Sequence, residues 1–278
     1  MRSKRGELDT LIVKNASATA EISLFGAQVL SFIPEHDKRE RLWLSPLAKL
    51  DRSIPIRGGI PICWPWFGRP PSQLTEKIKL LPSHGFVRNQ ECNLVSAEEI
   101  NSRLDHIIFE PQQYLFPELE LNLTLQILVS VGETLSIELI TRNSNLNTTQ
   151  YYAALHSYFQ VESIENTVLK GLQSDYFDQT QSMKRISAKN PYQIKGETDR
   201  IHLDPGRAVN IVAPSFKTLI KSLGNDSIVV WNPWQRLSQS MPDMSDEGYT
   251  TMLCIETART QIGDLKSFQS HALKQIIY

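Results

Sequence analysis

The sequence predicts an all-β protein, a large antiparallel β-sandwich with few short helices. Three observations carry that prediction. Apolar and polar residues alternate with a period of two along several stretches, the pattern of half-buried strands. Pro and Gly, 15 and 13 in number, interrupt the 278-residue chain often, which favours short strands joined by turns. Amphipathic patterns of helical period are poor throughout.

The clearest alternation places Leu119, Leu121, Leu123, Leu125 and Ile127 on one face and Glu120, Asn122, Thr124 and Gln126 on the other, starting from Glu118. Gly132-Glu133 makes a turn, and Leu135, Ile137 and Leu139 then alternate with Ser136 and Glu138, so a hairpin with one buried face is expected. Weaker alternation marks strands near residues 10–13, 18–24, 107–110, 208–212 and 227–231. Ser45-Pro46-Leu47-Ala48-Lys49-Leu50 has the cap and first-turn proline of a single helical turn. Residues 97–103 have helical propensity but are short and flanked by strands. With no fixed-period repeat, Gly/Ser linker or low-complexity tract, residues 1–278 read as one domain.

A composition of 41% apolar and 21% charged residues is enough for a real core and argues against disorder. The formal net charge is −1 and the basic residues are scattered, so a nucleic-acid partner is not expected. One or two well-placed arginines would still suffice for an anionic small molecule. The N-terminus has no apolar signal-peptide core, and no apolar run approaches the ~18 residues of a membrane span. Cys63, Cys92 and Cys254 are odd in number and far apart, unlike a disulfide framework or a zinc motif. A cytoplasmic monomer, with no membrane partner, metal or cofactor, is the expectation.

Some stretches do not look like core. Residues 57–68, Arg57-Gly58-Gly59-Ile60-Pro61-Ile62-Cys63-Trp64-Pro65-Trp66-Phe67-Gly68, fit neither strand nor helix. They read either as a rigid plug at one end of the sandwich or as an aromatic wall for a sugar, with Arg57 offering a planar fork to an anion. Ser83-His84-Gly85-Phe86-Val87-Arg88 concentrates a His, a conformationally free Gly and an Arg. His156 lies in an apolar, aromatic run and shares a period-2 face with Ala154, Tyr158 and Gln160, as a satisfied structural histidine or as a catalyst. Glu256 is the lone carboxylate of an apolar strand at 252–258, where burial is costly unless it is paired or kept for chemistry. Trp231-Asn232-Pro233-Trp234 reads more readily as a turn with packed indoles than as a second aromatic edge.

Taken in order, Arg57 to Gly68, His84-Gly85-Phe86-Val87-Arg88, Leu155-His156-Ser157-Tyr158-Phe159, Val229 to Trp234 and Met252-Leu253-Cys254-Ile255-Glu256 resemble the glucose-6-phosphate 1-epimerase (hexose-6-phosphate mutarotase) branch of the aldose 1-epimerase superfamily. The resemblance runs from about Phe25 to about Ala258. It implies a galactose mutarotase-like supersandwich and an enzyme that interconverts the anomers of a hexose 6-phosphate. It implies that His156 is the general acid and Glu256 the general base, that Arg57 and Arg88 bind phosphate, and that Asp199 binds substrate. His84 is a candidate hydrogen-bond partner of a sugar oxygen. Three positions depart from the family pattern: His202 stands where Tyr is usual, Cys92 where Trp is usual, and Ser83 where some members have Gln.

Two other readings compete. A sugar-phosphate-binding module of the same fold would need the arginines but not Glu256. A glycosidase would need two flanking carboxylates, for which Asp199 and Glu256 are available, but His156 would then lack a role. A metal site built from His84, His156 and Glu256 has no supporting short ligand spacing.

Overall fold

The computed structural model describes residues 1–76, 78, 80–113, 119, 121–203, 206, 208–261 and 263–278. A four-stranded antiparallel meander opens the chain: Arg2–Arg5, Leu8–Lys14, Ala18–Ser23 and Val29–Pro34. A nine-stranded sheet follows the order Tyr192–Gln193, Val168–Lys170, Ala208–Val212, Lys217–Leu223, Ser270–Ile277, Leu135–Asn143, Leu123–Val131, Leu104–Pro111 and Cys92–Asn101. An eight-stranded sheet runs Lys184–Ile186, Tyr176–Asp178, Thr198–Leu203, Ser227–Asn232, Met252–Arg259, Ala153–Leu155 and Ile62–Cys63, with Tyr158–Gln160 also paired to Met252–Arg259. No helix among the described residues is long and apolar enough to cross a membrane.

Side-chain alternation makes the eight-stranded sheet two-sided. On Met252–Arg259, Leu253 and Ile255 join the main core, whereas Cys254 and Ala258 fall into small clusters on the opposite face. On Ser227–Asn232, Ile228 and Val230 join the main core while Val229 and Trp231 face the other way. Ala153 and Leu155 likewise face the core and Ala154 does not. The nine-stranded sheet covers the inner face. A buried polar seam stitches the two: Ser157 Oγ donates to Gln275 Oε1 at 2.5 Å, and Gln275 Nε2 donates to Ile255 O at 3.1 Å and Thr257 Oγ1 at 2.9 Å. Each buried polar atom in that seam has a partner, so the sheets gain register without an unpaired-group cost.

The expected hairpin forms, with Leu123–Val131 paired to Leu135–Asn143 and Val131 opposite Leu135. It starts later than the alternation suggested. Leu119 is buried ahead of the strand, Leu121 is only partly buried, and Glu118 and Glu120 lie outside the described residues. Residues 97–103 are not helical, because Cys92–Asn101 pairs along Leu104–Pro111 and the ladder outweighs a weak helix propensity. Residues 45–50 make a hydrogen-bonded turn instead of a helix, with Ala48 N donating to Ser45 O at 3.1 Å and Leu47 N to Ser45 Oγ at 3.1 Å. The stretch after Trp231 is more than a turn, since Trp234–Ser240 is a short helix. Cys63, Cys92 and Cys254 are buried and unbonded to one another.

Gly85 fixes where the 83–88 loop sits. It has φ +72°, and a Cβ there would lie 1.9 Å from the Trp64 carbonyl oxygen. At Gly68, also at φ +72°, an added Cβ would meet nothing within 4 Å. Gly68→Ala therefore carries backbone strain alone, about 1 kcal/mol. Gly85→Ala carries strain and a backbone clash, and should cost at least ~2 kcal/mol. Urea midpoints of the two variants check this ordering, and equal losses would contradict it.

Candidate active site

The outer face of the eight-stranded sheet floors an open cleft of about 930 Å³, and Arg57, His84, Arg88, His156, Asp199 and Glu256 all line it. These residues span two hundred positions of the chain. What unites them is strand parity and two loops. Asp199 shares the outer face of Thr198–Leu203 with Ile201, and Glu256 lies between Cys254 and Ala258 on the outer face of its strand. His156 follows Ala153–Leu155 directly, and its amide donates to Pro61 O at 3.0 Å.

Glu256, with a side chain 1% exposed, sets one carboxylate oxygen 3.4 Å from His156 Nε2. Its other oxygen and His156 Nδ1 are buried without hydrogen-bond partners among the described residues. Burial, with a smaller push from Asp199, raises the Glu256 carboxyl well above its ordinary value, against a pull from Arg88. Burial, reinforced by His84, Arg88 and Arg57, lowers His156 well below its ordinary value. Both groups are thus pushed toward their neutral forms. The His156 ring is held by stacking on Tyr158 at 5.1 Å and by edge contacts with His84 at 5.6 Å and Trp231 at 5.9 Å.

His84 adopts φ +63°, donates its amide to Gly68 O at 2.7 Å and accepts the Gly68 amide at Nδ1 at 3.2 Å. A ring whose Nδ1 accepts carries its proton on Nε2, so His84 is a neutral donor. Burial, with Arg88 and Arg57, pushes it down to about 3, so it stays neutral at physiological pH.

Arg57 is clamped. Its Nε donates to Asp243 Oδ2 at 3.1 Å and its Nη1 to the Tyr158 hydroxyl at 3.1 Å. The two glycines after it serve the scaffold more than the ligand: an added Cβ would lie 2.5 Å from Trp43 O at Gly58 and 2.3 Å from Val29 O at Gly59. Gln28 Nε2 donates to Gly58 O at 2.6 Å and completes that lock. Arg88 Nη2 donates to Ser83 O at 3.1 Å, while its buried Nε has no partner among the described residues. Asp199 accepts from Gln179 Nε2 at 2.6 Å. Burial, aided by Asp178 and Glu197, raises its carboxyl to about 6, although the Gln179 bond acts the other way.

The plug reading holds for Trp64 and Trp66, which are fully buried, Trp64 donating its indole proton to Thr141 Oγ1 at 3.0 Å. Of that loop's aromatics only Phe67 lines the cleft, and Trp231 and Tyr152 line it from elsewhere in the chain. The turn reading therefore missed Trp231, although its period-2 offset from Val229 was there to be read. Asp243, Gln179 and Arg69 were also missed. Asp243 reaches Arg57 from 186 positions away, which no local pattern reports. His202, in place of the usual Tyr, is buried with Nε2 2.9 Å from the Tyr192 hydroxyl, and Cys92 is buried in the core, so neither departure touches the cleft. Ser83 does line it.

The ligand atoms of His156, Cys254 and Glu256 lie within 4.8 Å of one another and could hold a metal ion. This is not the His84-containing set weighed from residue types. Burial raises the Cys254 thiol well above its ordinary value, which opposes the thiolate a metal needs.

With this geometry in view, comparisons with known proteins are consistent. The family description matching residues 9–277 is aldose 1-epimerase. A protein provisionally named glucose-6-phosphate 1-epimerase from Escherichia coli is 34% identical over 265 residues, covering 92% of this chain and 85% of its own. Its Salmonella typhimurium counterpart, named the same way, is also 34% identical with the same coverage. A crystal structure of a provisionally named mutarotase from Salmonella typhimurium superposes with a TM-score of 0.88 at 32% identity, covering 99% of this chain and 92% of that one. The chain belongs to the aldose 1-epimerase family, which makes it an isomerase of the mutarotase class. The family and the all-β supersandwich expected from the ordered motifs are both borne out.

The raised Asp199 carboxyl has a consequence for stability. Its folded value lies above its unfolded value, so the folded state binds more protons between them, and stability falls as pH rises from about 4 to about 6. Asp199→Asn removes that loss. The variant should be more stable than the parent at pH 8, with the difference vanishing at pH 4. Denaturant midpoints at the two pH values measure it, and a destabilised variant at pH 8 would contradict the assignment.

Proposed function

We propose that this protein interconverts the α and β anomers of a hexose 6-phosphate, glucose 6-phosphate first among them, with Glu256 and His156 as the proton-transfer pair. The observation that carries the reading is that pair, buried at 3.4 Å on the floor of a cleft that also contains Arg57 and Arg88. The names of the Escherichia coli and Salmonella relatives point to the same substrate.

Ring opening removes a proton from the C1 hydroxyl and delivers one to the ring oxygen. Both oxygens sit on the same carbon, so the base and the acid must be neighbours. Glu256 as carboxylate takes the hydroxyl proton while His156 as imidazolium protonates O5, and the C1–O5 bond breaks to give the open-chain aldehyde. The pair then stands as carboxylic acid and neutral imidazole. Rotation about C1–C2 and the reverse transfers close the ring as the other anomer. One proton stays on the pair through each state, so no metal or organic cofactor enters the scheme.

Burial favours the neutral pair, which is the form present when the ring is open. The protein thus lowers the energy of the open-chain state relative to the closed one. His84, neutral with Nε2–H free to donate, stabilises a sugar oxygen as charge develops. Asp199 accepts from a sugar hydroxyl, and Phe67 and Trp231 cover the apolar face of the ring. Arg57 and Arg88 take the phosphate by charge-assisted hydrogen bonds. They line both the cleft and a side recess of about 250 Å³ bordered by Tyr158 and Asp243.

A coupled assay started from pure α-glucose 6-phosphate at neutral pH should show acceleration over the buffer rate, and none would sink the enzymatic reading. Glu256→Gln and His156→Asn should each lower the catalysed rate by about 10²–10⁴-fold in a folded protein. Full activity in either variant removes that residue from the mechanism. Arg57→Ala and Arg88→Ala should raise KM for the phosphorylated sugar far more than for free glucose, whereas equal losses on both would mean that they hold no phosphate.

A further inference from the structure

The two ends of the cleft are physically joined. Tyr158 is buried between Trp43, stacked at 6.0 Å, and His156, stacked at 5.1 Å with the planes 15° apart. Trp231 meets its ring edge-on at 5.9 Å. Its hydroxyl accepts from Arg57 Nη1 at 3.1 Å. Burial raises the phenol well above its ordinary value, so the O–H proton is retained and remains free to be donated. Arg57 is fixed on its other side by Asp243, a buried residue whose carbonyl accepts from Ser45 Oγ at 2.6 Å. Arg57 Nη2 carries no bond within the described residues and lies in the guanidinium that borders the side recess.

We propose that Tyr158 is a positioning residue that couples this recess to the acid–base pair, so that a free oxyanion dianion bound at Arg57 and Arg88 activates the protein toward a separate, unphosphorylated hexose. The inference rests on the function proposed above and deepens it. A phosphate on the substrate is then more than a handle, because its binding prepares the reacting end.

Two physical effects produce the coupling. The first is orientation. A dianion at the recess is held by the Arg57 fork and the Tyr158 hydroxyl together, which fixes the phenol and, through the stack, the imidazole that must face O5. The second is charge. The groups that face His156 are Glu256 at 3.4 Å, Cys254, Tyr158, the neutral His84, Arg88 and Arg57, and the two arginines oppose a proton on it. A dianion beside the arginines cancels their push and favours the imidazolium that ring opening requires. Binding energy at the far end of the substrate is thereby spent at the reacting carbon.

The test uses the full chain, free glucose and inorganic phosphite at constant ionic strength, with the protein-free rate in the same buffer subtracted. The readout is the ratio of glucose anomerisation rates with and without phosphite. The parent should show a ratio of at least ~10, the lower part of what acid–base assistance supplies. Tyr158→Phe keeps the ring stack but loses the bond to Arg57, and its ratio should fall below ~2, with kcat for glucose 6-phosphate falling more than KM rises. Asp243→Asn, which loosens the same fork from outside the stack, should also lower the ratio. A parent that speeds glucose 6-phosphate but shows a phosphite ratio near one overturns the coupling alone. An undiminished ratio in folded Tyr158→Phe does the same. A parent that speeds neither sugar overturns the function and the coupling together.

Discussion

The constraint on which the rest of this structure depends is a buried carboxylic acid held beside an imidazole. Glu256, almost without solvent contact, faces the largely buried His156 at 3.4 Å, and each retains a buried polar atom without a partner among the described residues. In a purely structural site those atoms would be satisfied, because a buried orphan costs about 1–3 kcal/mol. In the proposed function a sugar supplies partners for them. The arginines at the other end raise the cost further by opposing a proton on His156. The free site is therefore set against its own charged form.

Holding such a pair in place takes rigid support, and the sandwich provides it by parity. Each strand of the eight-stranded sheet gives alternate residues to the core and the rest to the cleft. Ile255 is pinned through its carbonyl by Gln275, so the neighbouring Glu256 has no freedom to slip its register. A one-residue shift would carry Glu256 into the core and Ile255 into the cleft. The loops are locked by close backbone approach. Gly58 and Gly59 sit against Trp43 and Val29, and Gly85 sits against Trp64, in contacts that a Cβ would block. Trp64 and Trp66 anchor their loop in the main core, and Phe67, next along the chain, lines the cleft beside His84.

Period-2 patterning was legible in the sequence wherever one face of a strand is buried and the other is not. The 123–143 hairpin is of that kind, whereas 252–258 read as an apolar strand and is buried on both faces. The pattern failed where pairing overrode propensity, as at 97–101, and where apolar residues precede a strand without joining it, as at Leu119 and Leu121. The six candidate site residues were named one by one from unusual local contexts and ordered motifs, and they converge on one cleft. What the sequence hid was the support around them. Asp243 and Tyr158 hold Arg57 across long separations, and Gln179 reaches Asp199 from a 3₁₀ turn. Such contacts follow from how strands and loops meet in space, and no local spacing encodes them. Trp231 was readable but was outweighed by the ordinary expectation that an indole beside Asn-Pro is packing.

The central claim is that the Glu256–His156 pair addresses the C1–O5 bond while Arg57 and Arg88 hold the phosphate. A crystal structure with 1,5-anhydroglucitol 6-phosphate, which lacks the C1 hydroxyl and cannot open, tests both halves at once. The account predicts the phosphate on Arg57 and Arg88, with the ring oxygen within about 3.2 Å of His156. A phosphate bound away from both arginines, or a sugar ring that leaves O5 out of reach of His156 and Glu256, would contradict it.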